Sequence, residues 1–389
     1  MRVMKFGGAV LLSPDGFRQM AEILLRQQGS PCLVVVSAFS STTRDLEFTT
    51  RLALQGALAE ALERLTHVVD DHRQLVRALI DDVATRDALA TLLDDCYAST
   101  SRLLTGISIT RQRSPRILDE VLAVGEFMAL HIARHVLGAA GLSTMSADAT
   151  TVMVTTDDFG KAVPLIPPTT LRARRILRPL LEHHDVVMVQ GFVGQTESGV
   201  TTTMGKESSN LTATVLGAAL EADEIVIWTN VAGLRTGDPD VCTNTVVVPS
   251  LSWQEALETA HAGVKVLYPT MIEPAAAANI PIRIAHASFP DGEQTLLGVP
   301  GPTPLPIVVL AEATDDVHHA CITTVFAPRQ EWLRTITTVI DEHNVGNAFS
   351  CSTSESSATS LLCVPASVAR SSAQSIHNLL VHHTNETGS

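Results

Sequence analysis

The 389-residue sequence is short of positive charge: 27 Lys and Arg face 41 Asp and Glu, a formal net charge of −14. A nucleic acid or an anionic membrane would have to approach against that field, so neither partner is expected. A small anionic ligand would need local help from a metal ion or from a few placed lysines and arginines. Charged residues make up only 17% of the chain, too few for a disordered polymer, and 45% apolar residues suffice for two or three units with real cores. No uninterrupted apolar run nears the roughly 18 to 20 residues that cross a bilayer. Met1-Arg2-Val3-Met4-Lys5 leads into a strand-like run rather than a signal peptide. Cys32, Cys96, Cys242, Cys321, Cys351 and Cys363 lack CxxC pairing and sit mostly in apolar runs. That pattern favours buried thiols over a disulfide framework and leads us to expect a cytoplasmic, reducing location.

What is present is an alternation of short apolar runs and helical spacing. Val3 to Phe6 ends in Gly7-Gly8, Gly16 to Gln27 carries Phe17, Met20, Ile23 and Leu24 at helical spacing, and Cys32 to Ala38 is a second run rich in β-branched residues. This βαβ opening predicts a parallel sheet covered by helices on both faces. Asp45 to about Gly141 reads as almost wholly helical, with Ser114-Pro115 as the one strong break. Strand patterns resume at Leu142 to Met145, Val186 to Gln190, Glu224 to Trp228 and Pro281 to Ile284, with helices between them. Four prolines and two glycines within Gly298 to Pro306 mark a linker. Beyond it, the order is strand (Ile307 to Leu310), strand (Ile322 to Phe326), helix (Glu331 to Asn344), two strands (around Phe349 to Cys351 and Thr359 to Val364) and a final helix near Val368 to Val381. A small α+β module fits that order.

Two segments are built to meet phosphate. At Lys5-Phe6-Gly7-Gly8, a strand ends in two residues without side chains, so backbone N–H groups can approach an anion beside a lysine. Taken alone, the tetrapeptide reads rather as an ordinary tight turn. Farther on, Gly191-Phe192-Val193-Gly194 and Thr201-Thr202-Thr203-Met204-Gly205-Lys206-Glu207-Ser208-Ser209-Asn210 run directly into a helical stretch. A hydroxyl-rich turn at a helix N-terminus offers unpaired N–H groups and a positive dipole end, and Lys206 adds charge. Ser208 or Ser209 would also serve as an ordinary cap there. His131 and His135 have i, i+4 spacing, but with no HExxH and no third ligand they read as a helix face, and no metal site is expected.

Together these blocks make the chain resemble an aspartokinase of the amino-acid kinase family. KFGG, VVSAFSSTTRDLE (Val35 to Glu47), VGEFM (Val124 to Met128), TDDFGKA (Thr156 to Ala162), GFVG with TTTMGKESSNLTA, IWTNVAGLRTGDP (Ile227 to Pro239) and LSWQEALETAHAGVKVLYP (Leu251 to Pro269) stand in that family's order. TSESSATSLL (Thr353 to Leu362) is similar to its regulatory ACT-type module. The resemblance implies an α/β fold, a parallel-rich sheet sandwiched by helices, with a catalytic domain over 1–299 that includes a helical elaboration at about 45–140. A linker at 300–306 and an ACT-like regulatory or dimerisation module over 307–389 would follow, and the module implies a homodimer.

The implied activity is ATP-dependent phosphorylation of the L-aspartate β-carboxylate, with ATP and Mg2+, toward lysine, threonine and methionine. The resemblance assigns catalysis to Lys5, Lys206 and Asn210. It assigns ATP contacts to Lys5, Gly7, Gly8, Thr229, Asn230, Arg235 and Lys265, and substrate contacts to Ser37, Thr43 and Glu126, the last for the ammonium group. On its own, Glu126 reads as a solvated carboxylate and Lys265 as a surface lysine. The chain departs from the commonest family pattern at several positions. Ala9 and Val10 carry no hydroxyl, leaving Ser13 as the nearest. Asn210 stands where an acid orients the catalytic lysine, Asn230 replaces an Asp, Arg235 a tyrosine, and Val200 an arginine seen in relatives. Gly346-Asn347-Ala348 replaces a polar stretch that often binds an inhibitor, which counts against feedback control. These changes keep two alternatives open: a catalytically weak sensing or assembly subunit, and a kinase for another amino acid.

Overall fold

The computed structural model describes residues 1–27, 29–300, 305–312, 319–326, 348–353 and 358–387. The helix expected over 331–344, residues 301–304 of the expected linker, Gly346-Asn347 and Ser354 to Ser357 lie outside the described residues. The chain divides into two compact units, Met1–Asn230 and Val231–Ser389.

The first unit opens with β1 (Arg2–Phe6), α1 (Pro14–Leu25) and β2 (Cys32–Val36), the order that the two apolar runs require. Then come α2 (Thr42–Leu54), α3 (Leu58–Leu79), α4 (Val83–Thr110) and α5 (Pro115–Ala139). The helical stretch is therefore interrupted twice more than expected. Near residue 56 the chain turns through Gly56, which takes φ +85°. At residue 82, Asp82 starts α4 by accepting the Thr85 N–H at 2.8 Å, a cap that ends one helix and begins the next. The unit closes with β3 (Thr144–Ser146), α6 (Ala149–Val152), α7 (Ile166–His183), β4 (Val186–Gln190), β5 (Val193–Gln195), β6 (Thr201–Thr203), α8 (Ser208–Leu220) and β7 (Glu224–Thr229).

Strands β3, β4, β2, β1 and β7 lie side by side in that order, and each pair is parallel. Every residue of β2 and β4 is buried, as expected of strands covered on both faces, and helices flank the sheet. On this account α8 packs on β1, β2 and β7, while α5 lies against β2, β3 and β4. Length and composition alone would let α5 cross a membrane. Its apolar residues, among them Val121, Met128, Leu130, Ile132 and Leu137, are instead buried inside the unit. Because the strands run parallel, the residues after Phe6, Val36, Gln190 and Thr229 emerge at one edge of the sheet, the edge at which open α/β sheets place their ligands.

In the second unit, β8 (Ser250–Leu251) precedes α9 (Trp253–His261), α10 (Pro269–Ala278), β9 (Ile282–His286) and β10 (Gln294–Leu297). The N-terminus of α9 carries a capping box between Ser252 and Glu255. A second sheet has the order β11 (Ile307–Glu312), β12 (His319–Phe326), β14 (Ala358–Pro365), β13 (Ala348–Thr353), all pairs antiparallel. The helix α11 (Ala369–Thr387) covers it through Ala373, Ile376 and Leu380, which share a core with Ile322, Phe326 and Leu362. The run Ile307 to Leu310 thus adds a strand to the sheet of this small α+β module, beside β12.

Candidate active site

Lys5 lies near the end of β1, between β2 and β7, and is only 6% exposed. Its ammonium folds back over the next turn: a methyl group at Gly7 would stand 2.7 Å from Lys5 Nζ, so a side chain at residue 7 would displace the ammonium from this position. Burial lowers the Lys5 pKa to about 8, and the Glu207 carboxylate acts in the opposite direction. Gly8 sits against the loop after β2, where a methyl group would be 3.4 Å from the Ala38 carbonyl. In that loop Ser37 is half-buried and its N–H bonds to the Phe6 carbonyl at 3.2 Å, which joins the ends of β1 and β2.

The same loop leads into α2 and meets α5 at Gly125, whose absent methyl would stand 2.8 Å from Thr42 Cγ2. This close approach delivers Glu126. It is 3% exposed, not a solvated carboxylate, and burial pushes its pKa up to about 8 against hydrogen bonds from Ala38 and Thr43. Thr43 Oγ1 donates to Glu126 Oε1 over a long 3.5 Å, and Oε2 is buried with no protein partner among the described residues. A buried carboxylate with a free oxygen costs stability unless a cationic donor is brought to it.

The α8 N-terminus completes the edge. A methyl group on Gly191 would be 2.5 Å from Ser209 Cβ, so the end of β4 and the first turn of α8 touch. Gly191 N–H bonds to the Val36 carbonyl at 2.8 Å, next to Ser37. The expected serine cap is not formed. Glu207, in the left-handed conformation at φ 62°, is the N-cap without a side-chain hydrogen bond, and Ser208 Oγ turns back to the Gly205 carbonyl at 2.6 Å. The Gly205-Lys206 turn places Ser208 inside the helix, beyond the cap position. Backbone carbonyls take the place of a side-chain cap, Gly205 accepting the Ser208 N–H at 3.4 Å and Glu207 the Asn210 N–H at 3.2 Å. Lys206 is exposed in this turn, while Asn210 is 4% exposed and its Oδ1 has no partner among the described residues. Thr229 ends β7 and Asn230 follows it, where the Trp228 carbonyl lies 3.9 Å from a methyl group placed on Gly7. Lys5, Gly7, Gly8, Ser37, Thr43, Glu126, Lys206, Asn210, Thr229 and Asn230 are all thereby carried at or beside one sheet edge. Such an edge can hold an anion at its backbone donors and a cation at Glu126.

The profile of the Amino acid kinase family matches residues 1–286. The chain belongs to the amino acid kinase family. It is 30% identical over 299 residues to aspartokinase 1, chloroplastic, of Arabidopsis thaliana, covering 76% of this chain and 51% of that protein. With lysine-sensitive aspartokinase 3 of Escherichia coli K12 it shares 31% over 302 residues, 76% of this chain and 63% of the relative. The chain therefore spans between about half and under two thirds of the length of these relatives. Among solved structures, E. coli aspartokinase III in complex with aspartate and ADP (R-state) superposes with a TM-score of 0.71 at 27% identity, covering 93% of this chain and 78% of that one.

Two residues named for this amino acid kinase from its sequence lie in the second unit. Arg235 donates to Thr245 Oγ1 at 2.7 Å and to the Thr245 carbonyl. Lys265 is 78% exposed and pairs with Asp238 at 2.9 Å. To take a phosphate, each would exchange a partner it already has. Ser13 is exposed at the start of α1. Sequence reasoning missed Asp119, a fully buried carboxylate behind the turn that leads to Lys206. Its signal was its place seven residues before Glu126 on the same helix.

Proposed function

We propose that the chain transfers the γ-phosphoryl group of Mg-ATP to the β-carboxylate of L-aspartate, forming 4-phospho-L-aspartate. The observation that carries this reading is the buried, unpartnered Oε2 of Glu126 on the sheet edge that also carries Lys5. An α-ammonium group is the partner such an oxygen lacks, and a solved relative is a complex with aspartate and ADP. Ser37 and Thr43 would line the acceptor side, and Gly7, Gly8 and the positive dipole end of α8 would face the phosphate oxygens. Lys5, and Lys206 from the α8 turn, would neutralise charge on the moving group. Arg235, Lys265, Thr229 and Asn230 are assigned to the nucleotide by resemblance. In the transfer a carboxylate oxygen bonds to the γ-phosphorus as the bond from that phosphorus to the β–γ bridging oxygen breaks, and ADP leaves with the electron pair. The acceptor is already ionised, so no general base is needed. Among the described residues no group of three His, Cys, Asp or Glu side chains forms a metal cluster, and Mg2+ would enter on the ATP phosphates, neutralising their charge.

The product would lead toward lysine, threonine and methionine, and the C-terminal sheet would serve as an ACT-like contact between two copies. The test is ADP release coupled to a hydroxamate trap for the acyl phosphate. Aspartate-dependent release of ADP with hydroxamate, lost in Lys5→Ala, is the expected result. Turnover only with a different amino acid moves the assignment to that substrate. Binding of lysine or threonine without turnover, which the uncharged Asn210 and Asn230 would favour, overturns it for a sensing subunit.

A further inference from the structure

Asp119 lies two helical turns before Glu126, so both carboxylates fall on one stripe of α5. It is fully buried, and hydrogen bonds rather than a cation satisfy it. Oδ2 accepts the N–H groups of Gly160 at 2.9 Å and Thr203 at 2.8 Å, and Oδ1 accepts the Thr203 hydroxyl at 2.7 Å. Thr203 is the last residue of β6, and Met204, Gly205, Lys206 and Glu207 then form the turn into α8. The Thr203 carbonyl takes the Ala162 N–H at 3.0 Å, and the Gly160 carbonyl stands 3.4 Å from a methyl group placed on Gly205. One carboxylate therefore grips both the strand that enters the turn and the loop that backs it.

We infer that Asp119 is a positioning residue that holds the Gly205–Glu207 turn and the α8 N-terminus in register with Glu126, so that the two ends of the site are set by one helix. The ligands at those ends rest on the function proposed above; the grip itself does not. Asp119→Ala removes the acceptor of the buried Thr203 N–H and of the Gly160 N–H in the exposed loop. Asp119→Asn keeps an oxygen for both, and its amide can donate to the Thr203 hydroxyl, which rotates to accept.

The test joins amide hydrogen exchange to kinetics on the full chain. In Asp119→Ala, exchange in peptides covering 203–209 should rise by about 10-fold, while peptides from β1 and β2 stay at wild-type rates. Turnover with aspartate and ATP should fall about 100-fold in kcat, the effect expected when a catalytic segment shifts by an ångström, and Asp119→Asn should recover most of it. Thr203→Val, which removes the hydroxyl donor alone, should give a smaller change of the same kind. Exchange that rises uniformly over 1–230, or Asp119→Asn no better than Asp119→Ala, would overturn the inference. If the wild type does not turn over aspartate, the proposed substrate fails, and local exchange in 203–209 still decides the role of Asp119.

Discussion

Replacing Glu126 by glutamine should stabilise the ligand-free protein while removing its hold on an amino substrate, and the stabilisation should depend on pH in a defined way. Burial moves the Glu126 carboxyl from 4.5 to about 8 in the folded protein. Between those values the folded state keeps a proton that the unfolded chain has released, so stability falls as pH rises, by about 1.4 kcal/mol per unit for this one group. Above the folded pKa the slope ends, with a total of at most about 5 kcal/mol. Glutamine keeps a carbonyl oxygen for the Thr43 hydroxyl and never ionises. Lys5 has the opposite slope: its pKa falls from 10.5 to about 8, so its burden is full below pH 8 and fades toward 10.5. Burial and the Glu207 carboxylate, which set the Lys5 pKa, are unchanged by the substitution, and its contribution cancels in the difference.

Urea unfolding of both proteins at pH 6, 7, 8 and 9 measures that difference directly. Glu126→Gln should gain on the wild type by about 1.4 kcal/mol per unit up to pH 8 and then hold level. The same change should reduce kcat/KM for aspartate by about 100-fold or more, since a buried charge pair is lost. Parallel pH profiles would show that Glu126 carries no buried-charge burden and would refute the reasoning.

Lys5→Met fills the same space without charge and should leave the melting temperature at pH 7 unchanged or higher, while turnover in the coupled assay drops by about 100- to 1,000-fold. Gly191→Ala would set a methyl group 2.5 Å from Ser209 Cβ and 2.8 Å from its Cα, so α8 must shift. Denaturant titration should show a loss of about 1–3 kcal/mol, and nucleotide KM should rise. Alkylation of the native protein followed by peptide mass spectrometry should label Cys321 and Cys363, half-buried with sulfurs 3.6 Å apart, well before Cys32, Cys96 and Cys242. Burial pushes those three thiols up to about 12, 11 and 11.

The parallel sheet was legible because β2 is an unbroken apolar run and β1 is apolar but for Arg2 and Lys5, and strands covered on both faces favour that composition. Gly7-Gly8 and Glu126 could be named from their neighbours in sequence, but their chemistry could not. Burial decides whether Glu126 is a solvated acid or a carboxylate poised near neutrality, and burial arises from Gly125 and Gly8 letting the 38–43 loop approach. The same limit hid Asp119, whose partners lie 41 and 84 residues away in sequence. Extra helix ends near Gly56 and Asp82 were signalled by residues that also occur harmlessly inside helices. The serine cap of α8 failed because a left-handed Glu207 took its place, a backbone choice that hydroxyl-rich composition does not reveal.

The near-neutral pKa values of the site carry one more consequence for a protein of net charge −14. At pH 7 a carboxyl with a pKa of about 8 is roughly nine-tenths protonated, so the ligand-free site offers Glu126 largely as a neutral acid. An incoming ammonium group favours the ionised form and should expel that proton. Aspartate binding in the presence of a non-hydrolysable ATP analogue should then release about 0.9 proton at pH 7 and about 0.1 at pH 9. Calorimetry in two buffers of different ionisation enthalpy reads the number from the slope of the observed heat. Lys5 works in the other direction, because phosphate raises its pKa and takes up a fraction of a proton when the nucleotide binds. Adding the analogue first separates the two. A buffer-independent heat for aspartate at pH 7 would mean that Glu126 is already ionised or is not the ammonium's partner, and Glu126→Gln distinguishes these, since it abolishes binding only in the first case.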